Sequence, residues 1–435
     1  MLNERLRRHV ISHLLGQVQA PAQYLGGELN MVRKDHREVE KKLCLAFPDT
    51  YTVGMSHHGL QVLYTLMNQR DDWACERAFT PGLDMEAQLR GKSVPLYSLE
   101  TFTSLVNFDV LGFTLQYEMS FSNVLTMLDL GQISLHSTER TLAEPLVIAG
   151  GPCAQNPEPL APFIDVFVTG DGEPSLPVIC DLWWELKRSA GPILSGEAGR
   201  RQREELLAEL AMRVPFAYVP RFYEPEYSNG RFVALHPTRP GIPTTIEPAV
   251  IDDLEAIPLP TRPVVPYIEC VHDRIAIEIM RGCPWQCRFC QSTVIKRPMR
   301  IRSVETIVQA ALESFRTTGF QEVSLLSLST SDYPYFEQLL RRLHEVFVPL
   351  GVTISLPSLR VNEQLKTVAE LMAGDRRSMT LAPEVARDDM REQIRKKIKN
   401  QDLYDGCREA FRRGWKQVKL YFLCGLPGER TVDLD

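Results

Sequence analysis

Short apolar runs separated by turn residues recur along the first half of the chain. Residues 42–47 (KLCLAF) form one such run, stopped by Pro48-Asp49, and apolar positions at helical spacing follow over 59–68. The run recurs at 110–114 (VLGFT), 146–149 (LVIA) and 166–169 (VFVT), with a helical stretch around 120–128. Stops stand at Gly150-Gly151-Pro152 and Gly170-Asp171-Gly172. Apolar strands of this length alternating with helices predict a parallel sheet covered on both faces, hence a doubly wound α/β domain over 41–182. Its glycine-rich stops follow strands, where such sheets bind ligands.

The flanking patterns differ. Residues 1–40 are mixed and charged, with a break at Gly26-Gly27, and predict a helical extension. Over 183–270 a Glu- and Arg-rich helix at 200–212 precedes two extended runs, 216–227 and 231–235, joined by Ser228-Asn229-Gly230, a hairpin signal. Pro258, Pro260, Pro263 and Pro266 then mark a surface linker. From Arg274 the alternation returns, with strands expected at 274–280, 321–327, 351–356, 378–382 and 417–423 and helices near 303–317, 333–347, 363–373 and 388–413. This repeat predicts a partial parallel barrel over 271–435. A barrel ending after a fifth strand leaves an open edge, so the chain is expected to be a fragment of a longer protein.

Composition narrows the classes. A 435-residue chain that is 44% hydrophobic and 24% charged suits two or three packed domains. The net charge of −6 gives no overall attraction to nucleic acid or anionic membrane. No run approaches the ~18 apolar residues of a membrane span. The first 13 residues lack the apolar core of a secretory signal. A cytoplasmic protein without a membrane partner is expected, and its ten cysteines should stay reduced.

Seven of those cysteines are scattered: Cys44, Cys75, Cys153, Cys180, Cys270, Cys407 and Cys424. Cys283, Cys287 and Cys290 are not; they stand in C-x3-C-x2-C spacing just past an expected strand. Three thiolates on one tight loop can ligate three irons of a cubane and leave the fourth iron open to substrate. Two plainer readings remain beside this one. The cysteines could be core residues by coincidence, or they could hold a structural zinc with Cys270 or His272 as fourth ligand.

With Phe289 between the last two cysteines, the segment resembles the signature of the radical S-adenosylmethionine (SAM) superfamily. The resemblance implies a [4Fe–4S] cluster on Cys283, Cys287 and Cys290, SAM as second cofactor, and a flavodoxin- or ferredoxin-type electron donor. It also implies that Phe289 lies beside the adenine. Ser327 and Ser329 stand where most of that family carries a Gly-Gly-Glu segment for the SAM amino group; an ordinary strand-to-helix turn capped by Ser331 or Asp332 is the alternative. Arg360 in SLPSLR becomes a candidate for the SAM carboxylate, or a surface ion pair. Glu384 in LAPE becomes a ribose contact, or a complement to a helix N-terminus. Gly425 belongs to a Cys-Gly-Leu-Pro-Gly-Glu element found in methylthiotransferase-like members. Glu278 is either a perturbed carboxylate near SAM or the partner of Arg281.

Residues 41–182 resemble the cobalamin-binding domain that precedes many radical SAM cores. Gly54 to Gly59, Gly150-Gly151 and Gly170 to Glu173 carry that likeness, and the glycines would let backbone approach a corrin tail. The Asp-x-His-x-x-Gly motif whose His ligates cobalt is missing, since His57 and His58 do not fit its spacing. Cobalamin is therefore an optional third cofactor. The whole resembles uncharacterised radical SAM proteins with such a domain; methyl or methylthio transfer is the expected class, with RNA, a ribosomal protein or a small lipid or metabolite as substrate. Lys296-Arg297, Arg300, Arg302, Arg395 to Lys397 and Lys399 offer phosphate contacts for RNA. The reading from another class is a non-catalytic iron–sulfur or zinc scaffold or sensor.

Overall fold

The computed structural model describes residues 2–356, 378–412 and 414–433. The chain divides into two compact units: Met1–Ile251 with Pro263–His272, and Asp252–Arg262 with Asp273–Asp435.

The first unit is built on one sheet. Its strands are β1 (Lys41–Phe47), β2 (Trp73–Phe79), β3 (Val110–Thr114), β4 (Leu146–Gly150), β5 (Val166–Val168) and β6 (Ala217–Tyr218). They lie in the order β2-β1-β3-β4-β5-β6; all neighbours are parallel except β6, which runs antiparallel to β5. The order reverses between β1 and β3, the position of the ligand crevice in doubly wound sheets. The two faces bury separate cores. Leu43, Leu45, Ile148 and Trp183 belong to one, and Cys44, Leu111, Val147 and Met127 to the other. This alternation along β1 and its neighbours is the period-2 pattern of a sheet covered on both sides.

Strand β2 (WACERAF) is absent from the pattern-based prediction, because Glu76 and Arg77 interrupt its apolar run. Both are nevertheless buried. Arg77 donates to Glu100 Oε1 at 2.6 Å and to Glu28 Oε2 at 3.2 Å. Glu76 accepts from Ser98 at 2.5 Å and from Thr101, and its Oε1 lies 2.6 Å from His36 Nε2. Partnership of this kind is what lets charge enter a core. Two carboxylates, Glu28 and Glu100, share one guanidinium here, and burial, opposed by Arg77, pushes the Glu100 carboxyl up to about 7. A second knot lies before β5. Asp165 Oδ2 accepts from Arg140 at 3.0 Å and Arg203 at 2.8 Å, all three side chains fully enclosed. Burial would raise the Asp165 carboxyl, but the surrounding arginines outweigh it and hold it at about 2.

The stretch expected as a linker, 183–270, is divided between the units instead. Helix Gly172–Ser189 runs past residue 183, helix Gly196–Arg213 buries Leu207, Leu210 and Ala211 in the first core, and β6 extends the sheet. Apolar positions in the Glu- and Arg-rich helix form a narrow stripe, easily read as a solvated helix. The Asn-Gly hairpin forms from β7 (Tyr223–Ser228) and β8 (Arg231–Pro237). In the N-terminal region helix Glu4–His13 and two short 3-10 turns form, and the remainder is irregular.

In the second unit β9 (Ile275–Glu278) is followed by β10 (Met280–Arg281) and β11 (Arg300–Ile301), an antiparallel pair, then by β12 (Glu322–Leu326) and β13 (Thr353–Ser355). A parallel sheet has the order β13-β12-β9. Helices Val304–Thr318 and Phe336–Phe347 pack Ile307, Ala311, Leu339 and Leu343 onto Ile275, Ile277, Val323 and Leu325. β14 (Ser378–Glu384) and β15 (Gln417–Phe422) form a separate parallel pair. Among the described residues the expected continuous barrel is thus a three-stranded and a two-stranded piece. The expected helix 388–413 is two, Asp388–Gln393 and Asn400–Arg412. They part at Arg395, whose φ of 57° cannot continue a right-handed helix. Arg360 and the expected helix 363–373 lie outside the described residues.

Candidate functional site

In the second unit the cysteine loop leaves the carboxyl end of the first strand through Gly282. That glycine has φ of 90°, and a Cβ there would meet the Lys296 carbonyl oxygen at 2.6 Å and that of Pro298 at 3.0 Å. The close approach fixes where the loop departs. Cys283, Cys287 and Cys290 form no disulfide, Cys287 buried and the others partly so. The Cys290 N–H donates to the Cys287 carbonyl at 3.2 Å, and the Thr293 N–H and hydroxyl donate to the Cys290 carbonyl at 3.2 and 2.8 Å, winding the loop into helix Ser292–Ile295. Among the described residues no three His, Cys, Asp or Glu side chains converge as one ion would require. The zinc candidates of the sequence, Cys270 and His272, belong to the first unit. There the Cys270 thiol points at the Ile268 carbonyl, and the His272 N–H donates to Ser56 Oγ.

Two segments hold the loop from outside. Asp332 Oδ2 accepts from Trp285 Nε1 at 2.6 Å and from Ser329 Oγ at 2.5 Å. On the other side the Arg288 N–H donates to the Ile394 carbonyl at 3.0 Å, Arg395 donates to Gln286 Oε1 at 3.1 Å, and the Cys287 thiol lies 3.8 Å from the Arg395 carbonyl. Both segments follow strands, β12 and β14, so three strand ends meet the thiol-bearing loop. Trp285 escaped the sequence reading; Asp332 entered it only as a helix cap and Arg395 to Lys397 only as phosphate contacts. Trp285 was visible inside the C-x3-C span, but nothing in the pattern paired it with Asp332.

The other expected site residues fall as follows. Phe289 is 40% exposed beside the last cysteine. Ser327 and Ser329 follow β12, and the Ser327 hydroxyl lies 3.0 Å from that of Thr330. Glu384 is buried at the end of β14 with φ of 69°, and accepts from Lys396 Nζ at 2.8 Å. An ion pair thus replaces the expected helix-terminus contact. Gly425 lies in an exposed turn after β15, its N–H bonded to Glu429. Glu278 accepts twice from Arg281, at 2.9 and 2.7 Å, which makes it a paired carboxylate. The expected basic cluster is partly engaged, while Arg297, Lys397 and Lys399 remain exposed. Arg300 and Arg302 are buried, donating to the Pro298 and Ile257 carbonyls, and Lys396 and Arg395 are engaged as above.

In the first unit the crevice between β1 and β3 is lined by His57, Thr114, Gln116 and Asn123. Asn123 donates to the Pro48 carbonyl at 3.0 Å, and Gln116 to Thr114 Oγ1 at 2.6 Å. His57 caps helix His58–Asn68 by accepting the Leu60 N–H on Nδ1 at 3.1 Å, which leaves its other nitrogen to Gln116. Burial, opposed by the bond to Gln116, lowers the imidazole to about 4, so it is neutral near pH 7. Gly150 ends β4, its carbonyl taking the Leu115 N–H at 2.7 Å. Gly151 has φ of 102°, and a Cβ there would stand 2.7 Å from the Leu115 carbonyl oxygen. The space that glycine vacates is therefore filled by the chain itself. Past the carboxyl ends of β2 and β3, Leu83 and Met119 are 85% and 89% exposed, with Tyr117 beside Met119.

Comparison with known proteins bears on both units. Residues 59–220 match the family described as radical SAM proteins, N-terminal, and residues 277–434 match the radical SAM superfamily. An uncharacterized protein of Methanocaldococcus jannaschii is 25% identical over 396 residues, covering 91% of this chain and 72% of its own length. The ribosomal protein uS12 methylthiotransferase RimO of Prochlorococcus marinus is 34% identical over 80 residues, 17% of each chain. Among solved structures, the radical SAM methyltransferase TsrM of Kitasatospora setae, solved with cobalamin and a [4Fe–4S] cluster, aligns with TM-score 0.54 and 16% identity over 91% of this chain and 68% of that one. The cobalamin-dependent radical SAM enzyme OxsB, with aqua-cobalamin and SAM bound, aligns with TM-score 0.51 and 12% identity over 89% of this chain and 50% of that one. At these identities the two structures share the fold of this chain. No helix among the described residues is long and apolar enough to cross a membrane.

Proposed function

We propose that this chain, a radical SAM enzyme whose two family matches span 59–220 and 277–434, transfers a methyl or methylthio group using a [4Fe–4S] cluster, SAM and a corrinoid. The observation that carries the reading is the loop of three cysteines, none in a disulfide, at the carboxyl end of a parallel sheet. Its donor set suits a cubane: three soft ligands, none in a disulfide, on eight consecutive residues. Such a cluster, when bound, supplies the electron that splits the SAM sulfonium, and the resulting radical takes a hydrogen atom from substrate.

The chain's own groups would do the rest. Cys283, Cys287 and Cys290 would hold three irons and supply no thiolate to the fourth. Ser327 and Ser329 offer hydroxyl oxygens to the SAM amino group from the end of β12, and Phe289 offers a ring face to adenine. Glu384, ion-paired to Lys396, holds a carboxylate oxygen for the ribose hydroxyls. A ferredoxin- or flavodoxin-type protein delivers the electron.

The corrinoid would occupy the β1/β3 crevice against Leu83, Tyr117 and Met119. His57 already uses both ring nitrogens, one toward Leu60 and one toward Gln116. It is not available as a cobalt ligand, so the corrinoid would bind without a protein imidazole.

Anaerobically reconstituted protein should form 5′-deoxyadenosine and methionine from SAM with dithionite. Protein purified from corrinoid-supplied cells should carry cobalt. Deoxyadenosine formation without cobalt would leave the radical SAM step and remove the methyl-carrier role; neither product nor cobalt would remove both.

A further inference from the structure

A carboxylate, that of Asp332, is among the groups that anchor the thiol-bearing loop. Its Oδ2 accepts from Trp285 Nε1 at 2.6 Å and from Ser329 Oγ at 2.5 Å. Trp285 lies between the first and second cysteines, and Ser329 belongs to the hydroxyl-rich segment after β12. One oxygen therefore joins the loop to the segment placed to receive the SAM amino group. Bonds to an ionised acceptor are about twice as strong as neutral ones and fix direction as well as distance.

Helix capping does not account for Asp332. The helix that follows begins at Phe336, its N-cap residue is Tyr335, and no side chain caps it. The turn that carries Asp332 is itself held firmly. The Asp332 N–H returns to the Ser329 carbonyl at 3.0 Å, and the next residue, Tyr333, is fully buried with its hydroxyl on the Arg302 carbonyl at 2.6 Å. A carboxylate on a rigid turn, aimed at a loop whose sulfurs must meet three irons, is placed to set the angle of that loop.

We propose that Asp332 is a positioning residue. Through Trp285 and Ser329 it sets the cysteine loop in register with the Ser327–Ser331 segment, so that the unligated iron and the hydroxyls address one SAM molecule. The proposal rests on the functional reading above. Its signature is a loss of SAM affinity on a cluster that is still assembled, since the three thiols are untouched. Outer contacts of this kind typically alter affinity by about 10- to 100-fold.

The test measures iron and sulfide content, the melting temperature of the cluster-free protein, and equilibrium SAM binding to the anaerobic, cluster-loaded protein. The variants are Asp332→Ala, Asp332→Asn and Trp285→Phe. Asp332→Ala and Trp285→Phe should keep the iron content of the natural protein and bind SAM about 10- to 100-fold more weakly. Asp332→Asn keeps an oxygen acceptor and should recover most of that affinity. Adding Trp285→Phe to Asp332→Ala should weaken binding little further, because the first change already breaks the contact. If Asp332→Ala does not fold, Trp285→Phe, which removes one N–H and keeps the ring, decides alone. Unaltered SAM affinity in Trp285→Phe and Asp332→Ala on a cluster-bearing protein overturns the positioning role. A natural protein that assembles no [4Fe–4S] cluster overturns the functional reading and the positioning role together.

Discussion

The charged knots of the first unit and the cysteine loop of the second handle polar groups in opposite ways. Around Arg77 and around Asp165 every charge is enclosed and faces an opposite charge or a row of carbonyls, so the groups spend their bonding on one another. Around the cysteine loop the bonds are made by Trp285, Gln286 and Arg288, the residues between and beside the cysteines, while the three thiols form no disulfide. The first arrangement fixes a fold. The second fixes a frame through the residues between the cysteines and ties none of the three thiols into a disulfide. A buried polar cluster is thus informative about function only after asking whether its own members already satisfy it.

Removing a thiol is the sharpest way to break the contrast. Cys287→Ala should abolish the cluster and deoxyadenosine formation, yet change the unfolding free energy of the cluster-free protein by only about 1 kcal/mol. Iron analysis and denaturant titration check the two halves. Arg77→Ala should do the reverse. It strands Glu28 and Glu100 without their cation and should cost about 3–5 kcal/mol in unfolding of the first unit. Iron content in whatever protein stays folded should be unaffected.

Smaller effects sharpen the comparison within the first unit. Gly151→Ala forces a Cβ to 2.7 Å from the Leu115 carbonyl oxygen at φ of 102°. It should cost more than about 1 kcal/mol by thermal melting. The smallest effect concerns acid stability. Burial keeps His57 unprotonated down to about pH 4 in the folded protein, against 6.5 for an ordinary imidazole. The unfolded chain therefore binds the extra proton in that window, and the stability contributed by His57 falls as pH drops from about 6.5 to 4. Glu100, pushed up to about 7, works in the opposite direction over an overlapping range. The effect must therefore be read as a difference: His57→Gln should flatten the acid-side fall relative to the natural protein, measured by urea midpoints at several pH values.

How far the chain could be read without its structure follows from the same contrast. The strands at 42–47, 110–114 and 146–149 were legible because purely apolar runs between turn residues have few alternatives. The three cysteines were legible because their spacing is local. Strand β2 was not, since Glu76 and Arg77 make its sequence look solvated until Glu100 and Glu28, distant in the chain, are placed beside Arg77. Within 183–251 the helix at 200–212 and the Asn-Gly hairpin were legible, but the charge of that helix hid Leu207 and Leu210, which with Phe222 reach the core of the first unit. The Trp285–Asp332 contact spans 47 positions and obeys no period, so no local pattern could reveal it.

The central claim is that three thiolates leave one iron open for SAM. The electron paramagnetic resonance spectrum of the dithionite-reduced, anaerobic protein, recorded before and after adding SAM, tests it most directly. A [4Fe–4S] signal whose g-values shift with SAM, and which shows coupling to SAM labelled with nitrogen-15 at its amino group, is the predicted result. A cluster spectrum indifferent to SAM, or a protein carrying zinc and no paramagnetic signal, would contradict it.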